Sequence, residues 1–101
     1  MTAPDVPAVS VTEAHDRRPG AVLVDVREDD EWLDGHAPGA LHVPLGRLTA
    51  EALPAGRPVY CICRSGNRSG LAVQALAAAG VDARNVSGGM QAWIAAGLPV
   101  D

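Results

Sequence analysis

Short apolar runs alternate with helix-like stretches along this chain. Residues 21–26 and Val59–Ile62 are almost uninterruptedly apolar, as is typical of strands buried on both faces of a parallel sheet. Residues 41–43 and Ala83–Val86 are predicted to form two shorter strands. The alternation predicts an α/β fold with a mainly parallel sheet.

Helix signals lie between these predicted strands. Ser10 and Glu13 have the spacing of a capping box, which predicts a short helix that ends before Pro19 and Gly20. One helical turn is predicted over Asp29–Leu33, a short helix over residues 45–53, and a closing helix over residues 88–96.

A longer helix is predicted to begin at Ser69 and to stop at Gly80. Five apolar residues recur at helical spacing and are expected to share one face: Leu71, Ala72, Ala75, Leu76 and Ala79.

Length and charge limit the possible functions. With 101 residues, of which 48% are hydrophobic, we expect a single domain over residues 1–101 with its core at about 9–100. A net charge of −4 argues against nucleic acid or an anionic membrane as a partner. The first ten residues lack the pattern of a signal peptide, and no apolar stretch is long enough to span a membrane. We therefore expect a cytoplasmic protein.

The two cysteines, Cys61 and Cys63, are separated by a single residue. A disulfide at this spacing would be strained, so free thiols and a reducing compartment are expected. A Cys-x-Cys pair also lacks the further ligands of a closed zinc site, and we expect neither a metal nor a cofactor. The histidines are expected to be structural: His15 on the first helix, and His36 and His42 beside a turn.

The segment from Cys63 to Arg68 is a compact polar loop between a predicted strand and a predicted helix. In open α/β sheets, ligands bind at the carboxyl ends of strands, where this loop begins. Gly66 permits a curl whose backbone N–H groups point inward, the predicted helix start adds partial positive charge, and Arg64 and Arg68 add to it. Such surroundings lower a cysteine pKa to about 3.5–7.5, so Cys63 is predicted to be a nucleophile at neutral pH.

Cys61 lies within the predicted strand, and we interpret it as a core thiol. A resolving or redox-sensing role for Cys61 is the alternative.

The chain resembles the single-domain rhodanese-like sulfurtransferases over residues 9–100. The first matching block is LVDVRE at 23–28, with EW at 31–32, GHAPGA at 35–40 and VP at 43–44. The second block is the loop CRSGNRS at 63–69. The third is GGMQAW at 88–93 with GLP at 97–99.

This resemblance implies a three-layer α/β/α fold with a mainly parallel central sheet of about five strands. It also implies a persulfide cycle, in which Cys63 takes sulfur from an anionic donor such as thiosulfate and passes it to cyanide or a thiol. The acceptor thiol belongs either to a small molecule or to a protein. The substrate-binding residues implied by the loop are Arg64, Ser65, Gly66, Asn67, Arg68 and Ser69.

The supporting residues are expected in the same region. Arg64 is expected to attract the donor dianion, whereas Arg68 either faces the substrate or pairs with Asp25 or Glu31. We favour the structural role for Arg68, and expect Asp25, Arg27 and Glu31 to support the loop. The two tryptophans, Trp32 and Trp93, are expected to pack at the rim of the core.

Two other activities are alternatives to sulfur transfer. Dual-specificity phosphatases and arsenate reductases have a related fold, but their cysteine loop is one residue longer, and a shorter loop suits a smaller anion. A persulfide sulfur carrier that feeds a partner enzyme would use the same loop, and the sequence does not separate it from an enzyme with small substrates.

Overall fold

The structure is a computed structural model that describes residues 5–18 and 20–101. Its strands and longer helices follow in the order β1 Ala8–Val9, α1 Val11–Asp16, β2 Val22–Asp25, α2 Asp29–Leu33, β3 Leu41–His42, β4 Val59–Ile62, α3 Asn67–Ala78, β5 Ala83–Val86 and α4 Gly89–Ala95. Two short 3-10 helices, Leu45–Arg47 and Ala50–Ala52, lie between β3 and β4. None of the helices in the described ranges has the length and apolar character needed to cross a membrane.

The five strands form one parallel sheet in the order β1-β5-β4-β2-β3. The central strand is β4, whose Cys61 is in register with Val24 of β2 and with Asn85 of β5. Every residue of β2 and β4 is buried, because helices cover both faces of the sheet. The predicted α/β fold is confirmed, and Cys63 leaves the sheet at the carboxyl end of its central strand.

Two apolar clusters, one on each face of the sheet, make up the core. Alternation along β4 sends Tyr60 and Ile62 to the face covered by α1 and α4, where Trp93 is completely buried. The same alternation sends Cys61 and Cys63 to the opposite face, against α3. Both cysteines therefore lie in the same layer, and both are free thiols. The full burial of Trp93 corrects the prediction that it lies at the rim.

Helix α3 begins earlier than predicted and buries a different face. It starts at Asn67 rather than Ser69, and Gly80 follows it with a φ of +87°, as its predicted role as a stop requires. Its buried residues are Ser69, Gly70, Ala72, Val73 and Leu76. Three residues of the predicted apolar face are exposed instead: Leu71, Ala75 and Ala79. Small or apolar residues of α3 occur on nearly all of its faces, so apolar spacing alone does not define the buried face. Packing against the sheet decides which face is buried.

The predicted helix over residues 45–53 is wrong, because the segment forms only the two 3-10 turns. It is bracketed by Pro44 and Pro54 and contains Gly46, and so short a segment has little tendency to form an α-helix by itself. Its leucines, such as Leu45 and Leu48, pack instead against the α3 side of the core.

The amino-terminal part differs in two details. Strand β1 was not predicted; it is only two residues long and pairs with β5 at the edge of the sheet. At α1, the Ser10 hydroxyl accepts the Glu13 N–H at 3.1 Å, as predicted, but the Glu13 carboxylate lies 3.6 Å from Arg17. Pro19, predicted to end this helix region, lies outside the described residues.

Candidate active site

The Cys63 side chain is buried at the start of a tightly curled loop, with only 1% of the residue exposed. Its sulfur accepts a hydrogen bond from the Gly66 backbone N–H at 3.1 Å and lies 3.2 Å from the Ser69 hydroxyl. Gly66 has a φ of +107°, a conformation that other residues rarely adopt, and it caps α3. The curl predicted from the position of Gly66 is present, with Cys63 Sγ at its centre.

These contacts favour the ionised form of Cys63. Burial acts to raise the pKa of the Cys63 thiol, but hydrogen bonds from the Ser69 hydroxyl and from the backbone N–H groups of Ser69, Gly66 and Ser65 outweigh it. The net result is a Cys63 pKa below its ordinary value. A cysteine with a lowered pKa has the properties of a nucleophile. The catalytic role of Cys63 stays a prediction.

Cys61 has the opposite character. Burial, together with the nearby Cys63, raises the pKa of Cys61 to about 12, so it remains a neutral thiol at physiological pH. Within the described ranges, no three side chains of the metal-binding types are grouped closely enough to hold a metal ion.

The amino terminus of α4 holds the loop from behind. The N–H groups of Met90 and Gln91 donate to the carbonyl oxygens of Cys63 and Arg64 at 2.8 Å and 3.0 Å. Gly89 makes this approach possible, since a Cβ on it would lie 2.4 Å from the Cys63 oxygen. The sequence predicted the Gly-Gly pair only as a helix start, and its contact with the cysteine loop was missed because it depends on how α4 meets β4.

Arg64 is exposed beside the loop. It borders a cavity of about 320 Å³ together with Arg27, Glu31, Met90 and Gln91, as well as residues near the carboxyl terminus. Its placement at a solvent-accessible opening fits the predicted attraction of an anionic donor, although the binding role of Arg64 stays a prediction. Ser65 is exposed on the same loop, and Asn67 is exposed at the start of α3.

Arg68 binds Glu31 of α2. Two of its guanidinium nitrogens donate to the two carboxylate oxygens of Glu31 at 2.6 Å and 2.7 Å. The pair is partly exposed, with 35% of the Arg68 side chain and 26% of the Glu31 side chain accessible. Of the two partners considered from sequence, Glu31 is the one found. The hydrogen bond from Arg68 lowers the pKa of Glu31 to about 2.

Asp25, the other partner considered for Arg68, binds Arg27 instead. The Arg27 backbone N–H and guanidinium donate to the Asp25 carboxylate at 2.8–3.0 Å, and both residues are buried. Arg27 also donates to the Gly35 carbonyl at 2.7 Å. This pair therefore joins the end of β2 to the turn after α2.

Ser69 and Asn85 complete the surroundings of Cys63, and Asn85 was missed from sequence. The Ser69 hydroxyl lies 2.6 Å from Asn85 Oδ1, and Asn85 Nδ2 donates to the Gly66 carbonyl at 3.0 Å. Asn85 is buried within β5. One signal was available, because asparagine is depleted in strands and a buried one must have hydrogen-bond partners.

Two histidines enclose Trp32 in a stack of rings near α2. The ring of Trp32 lies parallel to those of His36 and His42, with centroids 3.6 Å and 4.7 Å away. His42 Nε2 also lies 2.8 Å from the Arg27 carbonyl oxygen. These contacts agree with the structural roles expected for both histidines.

With this geometry described, comparison with known proteins decides the family. The family model described as "Rhodanese-like domain" matches residues 10–96. This chain belongs to the rhodanese-like domain family. The resemblance inferred from the three sequence blocks is confirmed.

Curated relatives of this rhodanese-like domain include proteins of different lengths. It is 44% identical over 81 residues to the uncharacterized protein slr1261 of Synechocystis sp., covering 77% of this chain and 45% of that protein. It is 41% identical over 73 residues to the "Putative sulfurtransferase YtwF" of Bacillus subtilis, covering 70% of this chain and 71% of YtwF. It is 38% identical over 74 residues to the "Putative sulfur carrier protein YrkF" of the same organism, covering 70% and 40%.

Solved structures of rhodanese-like domains share the fold. A rhodanese-related protein from Thermoplasma volcanium superposes with a TM-score of 0.88 at 28% identity, over 95% of this chain and 98% of that one. A thiosulfate sulfurtransferase from Pseudomonas aeruginosa superposes with a TM-score of 0.87, also at 28% identity, over 99% of this chain but only 20% of that one. The five-stranded parallel sheet with flanking helices is therefore the fold of the family.

Proposed function

We propose that this rhodanese-like domain is a sulfurtransferase that carries sulfur as a persulfide on Cys63. The observation that carries the proposal is the setting of Cys63, whose buried sulfur receives hydrogen bonds from the loop that encloses it. Its pKa is lowered, which increases the share of the reactive thiolate relative to an ordinary cysteine at the same pH. The sulfurtransferase named among its relatives supports the same activity.

The proposed reaction has two steps. The Cys63 thiolate attacks the outer, sulfane sulfur of thiosulfate, and the bond between the two thiosulfate sulfurs breaks. Sulfite leaves with the electron pair of that bond, and the negative charge remains on the outer sulfur of the Cys63 persulfide. A nucleophilic acceptor, such as cyanide or a thiolate, then attacks the outer sulfur and returns Cys63 to its thiolate form. This is covalent catalysis with two separate half-reactions.

The loop around Cys63 supplies the electrostatic part of this reaction. N–H groups that already point toward the sulfur can stabilise negative charge on the thiolate and on the persulfide without rearranging. Arg64, exposed beside the loop, is suited to attract a dianion. Arg68 is occupied by Glu31 and is suited to hold the loop against α2. Asn67, Ser65 and Gly66 are proposed to contribute as members of the same loop.

Two matched substitutions test the nucleophile. Cys63→Ser should abolish sulfur transfer from thiosulfate to cyanide, because a serine hydroxyl does not ionise near neutral pH and stores no sulfur. Cys61→Ser makes the same chemical change two residues away in the same buried layer, and it should retain most of the activity. Mass spectrometry after thiosulfate treatment should show one added sulfur atom on the wild type and on Cys61→Ser, but none on Cys63→Ser.

Melting curves for both variants establish that they are folded. Equal loss of activity in the two folded variants, or an added sulfur on Cys63→Ser, would contradict the proposal.

A sulfur carrier for a partner enzyme is the second candidate function. It is favoured by the relative named as a sulfur carrier and by the burial of Cys63, which leaves little of the thiol accessible to a diffusing acceptor. The persulfide-loaded protein distinguishes the two functions. Rapid unloading by cyanide or a small thiol supports the enzyme, whereas a persulfide that resists small acceptors and is discharged only by a protein acceptor supports the carrier.

A further inference from the structure

Cys63, Gly66, Asn85 and Ser69 are linked in a closed ring of four contacts at hydrogen-bonding distance. Cys63 Sγ accepts from the Gly66 N–H at 3.1 Å, and the Gly66 carbonyl accepts from Asn85 Nδ2 at 3.0 Å. Asn85 Oδ1 lies 2.6 Å from the Ser69 hydroxyl oxygen, which in turn lies 3.2 Å from Cys63 Sγ. Ser69 and Asn85 are both buried, so water does not readily exchange for any of these partners.

The direction of each hydrogen bond in the ring follows from the Gly66 carbonyl group, whose role is fixed. A carbonyl oxygen only accepts, so the amide nitrogen of Asn85 must face Gly66. The amide oxygen of Asn85 must then face Ser69, and because this oxygen also only accepts, Ser69 must be the donor. A serine hydroxyl has a single proton. When that proton lies between Ser69 and Asn85, Ser69 presents only lone pairs to Cys63.

This arrangement suits a Cys63 sulfur that carries no charge. The neutral thiol can donate its proton to Ser69, which completes the ring. A thiolate would instead face the lone pairs of Ser69, unless the serine proton turns toward the sulfur and leaves Asn85 Oδ1 buried without a donor. Either outcome has an energetic cost for ionisation.

We infer that Asn85 is a positioning residue for Cys63: it competes with the cysteine sulfur for the single Ser69 proton, which a thiolate gains only when Asn85 Oδ1 loses its donor, and so it opposes formation of the thiolate. This inference deepens the proposed function and rests on it for its biochemical meaning. In the proposed persulfide the charge lies on the outer sulfur, and the neutral Cys63 Sγ places no charge against the lone pairs of Ser69, so the Ser69 proton can stay on Asn85. Asn85 thus favours the sulfur-loaded form of Cys63 over the bare thiolate.

The test is the pKa of Cys63 in Asn85→Leu, measured from the pH dependence of iodoacetamide alkylation without any sulfur donor. The Gly66 carbonyl keeps its hydrogen bond from Gly70 at 3.1 Å, so the variant does not leave that oxygen without a donor. The freed Ser69 hydroxyl can then donate to the thiolate. We expect the Cys63 pKa to fall by about one unit, a tenfold rise in thiolate relative to thiol, or about 1.4 kcal/mol.

The second arm repeats Asn85→Leu in a Ser69→Ala background. Because Asn85 acts through the Ser69 proton, the shift should disappear there. An Asn85 that only supports the loop would give a different result, since loosening the Gly66 N–H would raise the Cys63 pKa in both backgrounds. A Cys63 pKa that rises or stays the same in Asn85→Leu, or one that falls equally in both backgrounds, would overturn the inference.

Other charged groups near Cys63 are unchanged in these variants. Arg68 on α3, itself bound to Glu31, interacts with the Cys63 charge, and Arg64 follows Cys63 in the loop. Cys61 is the nearby thiol, but its pKa of about 12 keeps it from reacting in the pH range where Cys63 titrates. The alkylation profile therefore reports on Cys63.

A measurement on the wild-type protein decides the matter if Asn85→Leu does not fold. The side-chain carbonyl carbon of Asn85 can be followed by NMR while Cys63 is titrated. If the Ser69 proton turns toward the thiolate, the Asn85 carbonyl loses its donor, and its chemical shift should move with the same midpoint as the Cys63 titration. An Asn85 carbonyl signal that is constant through that titration would also overturn the inference.

The same experiments separate this inference from the proposed function. Loss of sulfur transfer in Cys63→Ser tests the nucleophile, whereas the Cys63 titrations that test the role of Asn85 need no sulfur transfer. A correct nucleophile with no Asn85 effect, and an Asn85 effect in a protein that transfers no sulfur, are distinguishable results.

Discussion

Replacing Gly89 by alanine should displace the cysteine loop, and a second glycine supplies a matched control. Gly89 has a φ of +57° and Gly97 a φ of +73°, so an alanine at either position must adopt a left-handed conformation. That conformation costs an L-residue about 1–2 kcal/mol. At Gly97 nothing lies within 4 Å of the added Cβ, so the variant Gly97→Ala should show this backbone strain alone.

At Gly89 the added Cβ also collides with the loop. It would lie 2.4 Å from the Cys63 carbonyl oxygen and 2.6 Å from the carbonyl carbon of Arg64, both backbone atoms. Relief requires the loop and α4 to separate by about 1 Å. Such a shift would stretch the hydrogen bond from the Met90 N–H to Cys63, now 2.8 Å, beyond hydrogen-bonding distance. Together with the bond from Gln91, we expect an added loss of about 2–4 kcal/mol.

The assay is a pair of melting curves with alkylation of Cys63 as a second reading. In a domain of this size, 1 kcal/mol shifts the melting temperature by about 4–8 °C. Gly89→Ala should therefore melt more than about 10 °C below the wild type and at least about 8 °C below Gly97→Ala. It should also raise the Cys63 pKa, because the displaced loop no longer presents its N–H groups to the sulfur. Equal melting temperatures for the two variants, with unchanged Cys63 reactivity, would refute this account of how α4 supports the loop.

Four further predictions concern the charges around the loop and its selectivity. Arg64→Ala should lower kcat/KM for thiosulfate. It should also flatten the dependence of kcat/KM on salt, because the variant lacks the charge that salt screens as the Debye length falls from about 10 Å at 0.1 M to about 3 Å at 1 M. Arg68→Ala should instead lower the melting temperature, by about 4–8 °C, because its partly exposed pair with Glu31 contributes about 1 kcal/mol; an Arg68→Ala protein of wild-type stability with a large thiosulfate KM would reverse the two roles. The pKa of Glu31 is lowered from 4.5 to about 2 in the folded state. The pair should therefore stabilise the protein fully above about pH 4.5 and lose its effect as the pH falls toward 2. The melting temperatures of Glu31→Gln and wild type should differ at neutral pH and converge near pH 2. An aryl phosphate should not be hydrolysed above background between about pH 5 and 8, and turnover that depends on Cys63 would contradict the assignment of this short loop to sulfur chemistry.

The strands and the cysteine loop could be predicted because their signals are local. A run of β-branched and apolar residues indicates a buried strand wherever it occurs, and β2 and β4 were found close to the predicted positions. The turn at Gly66 was predictable for a similar reason, since the loop must reverse between a strand and a helix. The helix over residues 45–53 failed because apolar spacing in so short a segment does not overcome its glycine and flanking prolines.

The sequence by itself determined the fold class, the family resemblance and the position of Cys63 at the carboxyl end of a central strand. Only the tertiary structure decided which groups surround that cysteine. Asn85 and Gly89 reach it from β5 and from α4, elements that follow the loop in the chain and approach it through parallel pairing and helix packing. The choice of Glu31 rather than Asp25 for Arg68 likewise depended on where α2 packs, with Arg27 already occupying Asp25. Strand and turn signals depend on neighbouring residues, whereas these contacts join residues far apart in sequence, and the geometry of the sheet brings them together.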